Sequence, residues 1–450
     1  MTVHAALRVL LAGALGLTGA SPALGPISQV SAAVEQSACL DATKPLTAEE
    51  KFLNRPEAAR LISGGGFDEL LRRFTTDICR TTNPAAATRI TTAASRELWR
   101  RAVDRAQGRI AAGALSAGDD RPLYWTRLSM TAHLRRWAPA IPLEDTKREA
   151  LIAAVDRIGR GQADLAFPRT PGTKKVLVTG FDPFMLWNDI RQANPSGASA
   201  LALDGQTLQT PTGPVRIEAA IFPVRWRDFS DGMVENALLP HLKTQRNQID
   251  LWMTTSQGRE GRIDLERYNG AWRGGFPDNE DACYRGMAPI ASGLPTMRPQ
   301  PQWTWSTLPI DRMIAAKTGP FPVYDHTEVV ELPGKTPAEP VTKNCPAPPS
   351  TGATRPKGPT PGSIARSGAG GDYLSNEIAY RATLLRDALG LELPGGHLHT
   401  PILDGLSDTD RDELSNPTFE ANRTAITAQI RALVLAAAEA SGQGASKRTR

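Results

Sequence analysis

The residues able to do chemistry are few and far apart in this chain. Thr179-Gly180-Phe181-Asp182-Pro183-Phe184 follows a short apolar run, and Asn194-Pro195-Ser196 comes soon after. Two phenyl rings beside a glycine turn can wall a small apolar pocket, although such rings ordinarily join a core. Gly368-Ala369-Gly370-Gly371 invites a phosphate, but no Lys-Ser/Thr pair follows as in a P-loop. His397 and His399 stand two apart without HExxH spacing or a third ligand, so no metal is expected. Ser375 begins an amphipathic run in which Asp372 competes as the cap. Glu266 adjoins Arg267, as in a surface ion pair. Local sequence alone therefore makes Ser375, Glu266 and His399 structural residues.

The surrounding pattern says where a site could sit. Val176–Gly180, Val215–Val224 and Ile249–Thr254 are rich in β-branched and apolar residues and read as strands. Ser196–Leu203, Gly232–Leu242 and Ser375–Leu389 read as helices. The alternation predicts an α/β fold, a mostly parallel sheet flanked by helices, with ligands at the carboxyl ends of the strands. Pro417 onward predicts a last helix fading into a polar tail. From Leu46 to about Gly161 the spacing is helical, as in Glu97–Ala111 and Asp145–Ile158, so an all-α N-terminal domain over 34–166 is expected. Phe167–Thr173 is a Pro/Gly linker into an α/β domain over 174–440. Nine prolines within 333–362 mark an extended surface insertion.

With 52 Lys+Arg against 47 Asp+Glu, the net charge of +5 is small for 450 residues. No basic block supports nucleic-acid binding, and 40% hydrophobic residues argue against wholesale disorder. No later apolar run reaches the roughly 18 residues of a membrane span. Residues 1–33 read as a signal peptide: a weakly basic start, the apolar run Val9–Ala20, and small-residue cleavage patterns near 23 or 33. A secreted or extracytoplasmic location follows, with oxidising conditions. The four cysteines then form two disulfides, and Cys39–Cys79 with Cys283–Cys345 keeps each pair inside one proposed domain.

In order along the chain, five segments are similar to pyroglutamyl peptidase I, also called pyrrolidone-carboxylate peptidase. TGFDPF and NPS resemble the family's opening TGFxPFGG and NPS, with Met185-Leu186 in place of the glycine pair. Arg259, Ile263, Glu266-Arg267 and Pro277-Asp278-Asn279 resemble GGRxxIxxERxxxN and PDN. Ser306–Ile310 is similar to STLPI, Ala369–Asn376 to the AGTFVCN nucleophile segment, and His399-Thr400-Pro401 to HxP. The resemblance covers residues 174 to about 405. It implies catalytic roles for Glu266, Ser375 and His399, with serine in place of the family's cysteine. It implies substrate contacts at Phe181, Phe184, Tyr373 and Leu374, and no cofactor. Arg273 is the nearest candidate for the family's arginine before PDN.

Such a site would remove an N-terminal pyroglutamate from a peptide or a small amide. Ser375 at a helix N-terminus would attack, His399 would take its proton, and Glu266 would orient His399. A thiol is activated at a helix start, whereas a hydroxyl depends wholly on its base. The alternative is a catalytically inactive binding protein on the same fold; a serine hydrolase of another amide or ester is a third possibility. The oligomeric state is not decided by the sequence.

Overall fold

Lys174–Phe181 forms the central strand because its Val-Leu-Val run buries both faces between helices. The computed structural model describes residues 39–243, 248–334, 339, 342–346 and 348–441, so the segment read as a signal peptide lies outside the described residues. Seven strands make the main sheet: β1 Lys174–Phe181, β2 Thr207–Thr210, β3 Gly213–Phe222, β4 Leu251–Gln257, β5 Ile263–Glu266, β6 Val323–His326 and β7 Gly395–Thr400. Their order is β6-β5-β7-β4-β1-β3-β2. β1 pairs with β3 and β4, β4 with β7, and β5 with β6, all parallel. Only the β5–β7 and β2–β3 pairings are antiparallel. The fold is therefore α/β, mostly parallel, flanked by helices.

The helices lie where periodicity places them. Asp145–Ile158 matches its expected span, and Pro195–Leu203, Met233–Leu242, Leu374–Ala388 and Pro417–Ser441 start or end within a residue or two of theirs. Glu97–Ala111 belongs to a longer helix, Pro84–Ala106, which begins where Asn83 accepts a hydrogen bond from the Ala86 amide at 2.8 Å. Residues 38–450 form one compact unit. The helices between Pro56 and Ile158 share a continuous core with the sheet, in which Trp99, Trp125 and Leu134 belong to the same cluster as Val176, Ile217 and Met253. The linker is thus a surface crossing between two layers packed on one core.

Residues 263–367 hold short strands that alternation did not reveal. Val329–Leu332 pairs antiparallel with Ala353–Arg355 and with Ile364–Ser367, so the end of the Pro-rich stretch is a small sheet. The buried Glu331 carboxylate accepts from the Thr360 amide and hydroxyl at 2.6 and 2.7 Å. Cys345 joins Cys283, Cα–Cα 5.4 Å, and Cys39 joins Cys79, Cα–Cα 5.7 Å. Among the described residues no helix is long and apolar enough to cross a membrane.

Candidate active site

The NPS segment holds the TGFDPF turn in place. The Phe181 amide donates to Ser196 Oγ at 3.0 Å, and Asn194 Nδ2 donates to the Asp182 carbonyl at 2.9 Å. Asn194 Oδ1 in turn accepts from the Ser196 amide at 3.1 Å, capping the helix Pro195–Leu203. Gly180 is required by this approach, since a Cβ there would lie 2.3 Å from the Ser196 carbonyl oxygen. β1 thereby ends on a fixed loop whose rings face a pocket. That pocket encloses about 370 Å³ and is lined by Phe181, Phe184, Asn194, Val224, Ser256, Gln257, Tyr373, Leu374 and Ser375. It sits beyond the carboxyl ends of β1, β3 and β4, against the first turn of the helix Leu374–Ala388.

Ser375 is the second residue of that helix and is half-buried. Tyr373, not Asp372, occupies the cap position, and no side chain caps the helix. The first-turn amides of Leu374, Ser375 and Asn376 therefore have no acceptor within the helix and can serve a developing oxyanion. Asn376 anchors the turn, accepting from the Gly270 amide at 2.9 Å and donating to its carbonyl at 2.8 Å. Arg273 is buried deeper, held by Glu377 at 2.5 Å through both Nε and Nη2, so it braces the helix and does not line the pocket.

Glu266 ends β5, and the antiparallel β5–β7 register sets it opposite His397 and diagonal to His399. Glu266 Oε1 accepts from His399 Nδ1 at 2.5 Å, and Oε2 accepts from His326 Nδ1 at 2.7 Å. Burial alone would raise the Glu266 carboxyl, but the hydrogen bonds from His326 and His399 outweigh it and hold it at about 2. His399 Nε2 makes no hydrogen bond among the described residues. This leaves it as the acceptor nitrogen of the ring, given that Nδ1 donates to the carboxylate. Gly258 gives His399 its place: a Cβ there would lie 2.6 Å from the His399 Cβ.

Of the three residues, the structure joins Glu266 to His399 and leaves Ser375 apart. The expected Ser375–His399 hydrogen bond is not formed. Ser375 Oγ instead donates to the Gly370 carbonyl at 3.2 Å, the nearest acceptor when no substrate displaces it. The two groups nonetheless meet at Gly370, because a Cβ on that residue would lie 3.4 Å from His399 Cε1. Of the four ring and wall residues, all line the pocket; Phe181 stacks on Phe229 at 6.1 Å, and Tyr373 meets Phe276 edge-on at 5.4 Å. Glu266 and His399 are not part of the lining.

Sequence reading missed His326, Ser256 and Gln257. His326 lies in Val-Tyr-Asp-His, whose alternation was the available strand signal. Ser256 makes a Ser–His hydrogen bond, Oγ to His397 Nε2 at 2.8 Å, while Thr254 Oγ1 meets His397 Nδ1 at 2.8 Å. Complete burial pushes the His397 imidazole well below its usual range, so it stays neutral and is a poor base. Asp264, Glu266 and His326 bring ligand-type atoms within 4.8 Å of one another. Arg262 Nε occupies Asp264 at 2.9 Å and two imidazoles occupy Glu266, so a cation would have to displace three donors.

Solved structures similar to this chain include a mutant pyrrolidone carboxyl peptidase from Pyrococcus furiosus, 18% identical over 59% of this chain and 99% of that one, TM-score 0.35. Pyroglutamyl peptidase I from Bacillus amyloliquefaciens is 19% identical over 59% and 95%, TM-score 0.35. The Thermococcus litoralis enzyme is 18% identical over 58% and 93%, TM-score 0.36. The Pseudomonas aeruginosa protein PA0049 is 36% identical over 87% of this chain and 86% of its own length. Residues 31–156 match the family described as the PA0049 N-terminal domain, and residues 175–300 and 290–404 match PA0049, C-terminal domain. On this identity and coverage, the chain belongs to the PA0049 family.

Proposed function

We propose that this protein is an exported hydrolase that cleaves an amide beside a small apolar acyl group, with an N-terminal pyroglutamyl residue as the substrate. The observation that carries the reading is the 2.5 Å contact of the ionised Glu266 with His399, next to the pocket that holds Ser375. Substrate entry displaces Ser375 Oγ from Gly370, and rotation about its χ1 carries it to His399 Nε2. His399 takes the hydroxyl proton as Oγ bonds the scissile carbonyl carbon, and Glu266 stabilises the imidazolium. The oxygen collects charge facing the free amides at the helix start. His399 then returns the proton to the leaving amine, and water repeats the sequence to release the acid. The 5-oxoproline ring lies between Phe181 and Phe184. Export agrees with two disulfides, which persist outside the reducing cytosol.

Hydrolysis of pyroglutamyl-AMC by wild type, Ser375→Ala and Ser256→Ala tests this. Ser375→Ala is expected to lose about 10³-fold or more in kcat/KM, and Ser256→Ala to keep most activity. Equal rates for wild type and Ser375→Ala overturn it. A second reading, a silent binding protein, is favoured by the Ser375–Gly370 hydrogen bond. Binding of pyroglutamyl peptides without turnover, and no labelling of Ser375 by a fluorophosphonate, would select it. Fluorophosphonate labelling without pyroglutamyl cleavage would select another amide or ester.

A further inference from the structure

His326 is the one imidazole at this site that the catalytic sequence above leaves without a task. It reaches Glu266 from β6, paired in register with it, and sits largely buried. Arg259 Nη2 approaches its Nε2 at 3.2 Å. A guanidinium can only donate, so Nε2 carries the lone pair and Nδ1 carries the proton given to Glu266 Oε2. Arg259 thus fixes the tautomer of His326, and His326 fixes the carboxylate. Each oxygen of Glu266 has its own ring N–H, so the carboxylate cannot turn without losing one.

We infer that His326 is a positioning residue for the Glu266–His399 pair: by holding Oε2 it aims Oε1 at His399, and by taking up a proton it draws on the carboxylate's charge and weakens His399 as a base. The inference rests on the hydrolase reading for its catalytic consequence, but its physical content is the coupling of two imidazoles through one carboxylate. The charged groups facing His326 are Glu266 and Asp264 on β5 and Arg259 from the turn before it. On its own strand Asp325 is engaged by Arg267 at 2.6 Å. The hydrogen bond to Glu266 raises the His326 imidazole, desolvation and Arg259 oppose this, and the side chain of Arg259 is half exposed and free to swing away on protonation. Two groups sharing one partner titrate as a coupled system, so a proton on His326 lowers the affinity of His399 for its own.

The test follows the imidazoles by nitrogen-15 NMR in the full chain between about pH 5 and pH 9, around the ordinary imidazole value. In wild type, His399 is expected to titrate in two linked steps. In His326→Gln, which keeps a neutral donor, it should titrate in one step at higher pH. In pyroglutamyl-AMC hydrolysis, His326→Gln should keep kcat within about threefold on the alkaline side, with its acid limb displaced. His326→Phe should lose about tenfold or more in kcat with little change in KM, as loss of an orienting partner does. Superimposable His399 titrations in wild type and His326→Gln overturn the inference, as does a single unlinked step in wild type, which needs no variant to fold. Linked titration in a protein without pyroglutamyl hydrolysis supports the coupling and counts only against the hydrolase reading.

Discussion

Glu266 is a buried carboxylate kept ionised by two ring N–H donors, and this makes its contribution depend on pH. Its carboxyl is held at about 2, against about 4.3 in an unfolded chain. A depressed carboxyl stabilises the fold fully above the unfolded value, and the contribution is lost as pH falls from there through the folded value. The stability gap between wild type and Glu266→Gln should therefore narrow in urea unfolding as pH falls from about 5 to about 2. At neutral pH, Glu266→Gln should cut kcat by about 10²–10⁴-fold with the far-UV spectrum unchanged, since the amide neither fixes the His399 tautomer nor balances its charge. A Gln variant as active as wild type would remove Glu266 from the site. Neither Glu266 nor His399 was identifiable from its neighbours in sequence; only their order among five motifs singled them out.

Secondary-structure elements carry these side chains as rigid mounts. The helix Pro195–Leu203 does so for the pocket floor, because Asn194 both caps it and holds the Asp182 carbonyl. Asn194→Ala is expected to cost about 1–2 kcal/mol from the lost cap and the orphaned buried carbonyl, and to raise KM more than it lowers kcat. Chemical denaturation and steady-state kinetics on one preparation check both. Gly258 performs the corresponding service for His399, and Gly258→Val should displace the imidazole and lower kcat while Ser375 still lines an intact pocket. These helices and the parallel strands were legible because their apolar periods run over many residues. The strands of three or four residues between Ile263 and Ser367 were not, since so short a span shows no period.

Over the whole molecule, the N-terminal helices and the sheet are tied together by buried charge at the edge of the pocket. Asp182 receives Arg127 Nη2 and Arg160 Nε, each at 2.9 Å, and both arginines also hold Asp156. Asp182→Ala leaves two guanidinium groups without a shared anion. About 3–5 kcal/mol of destabilisation is expected, as for other broken buried pairs, with thermal unfolding as the measure. A loss below 1 kcal/mol would show that the helices do not depend on this tie. Cys39–Cys79 closes a loop of 40 residues, and Cys39→Ser should cost about 2–4 kcal/mol. By itself the sequence determined the α/β class, the main helices, the pocket rings and the motif order, because local propensity and periodicity act over neighbouring residues. Tertiary structure alone decided that the helical region shares one core with the sheet, that His326 joins Glu266, and that Ser375 rests on Gly370. Those contacts depend on strand register and on side chains dozens to hundreds of residues apart, which no local pattern encodes.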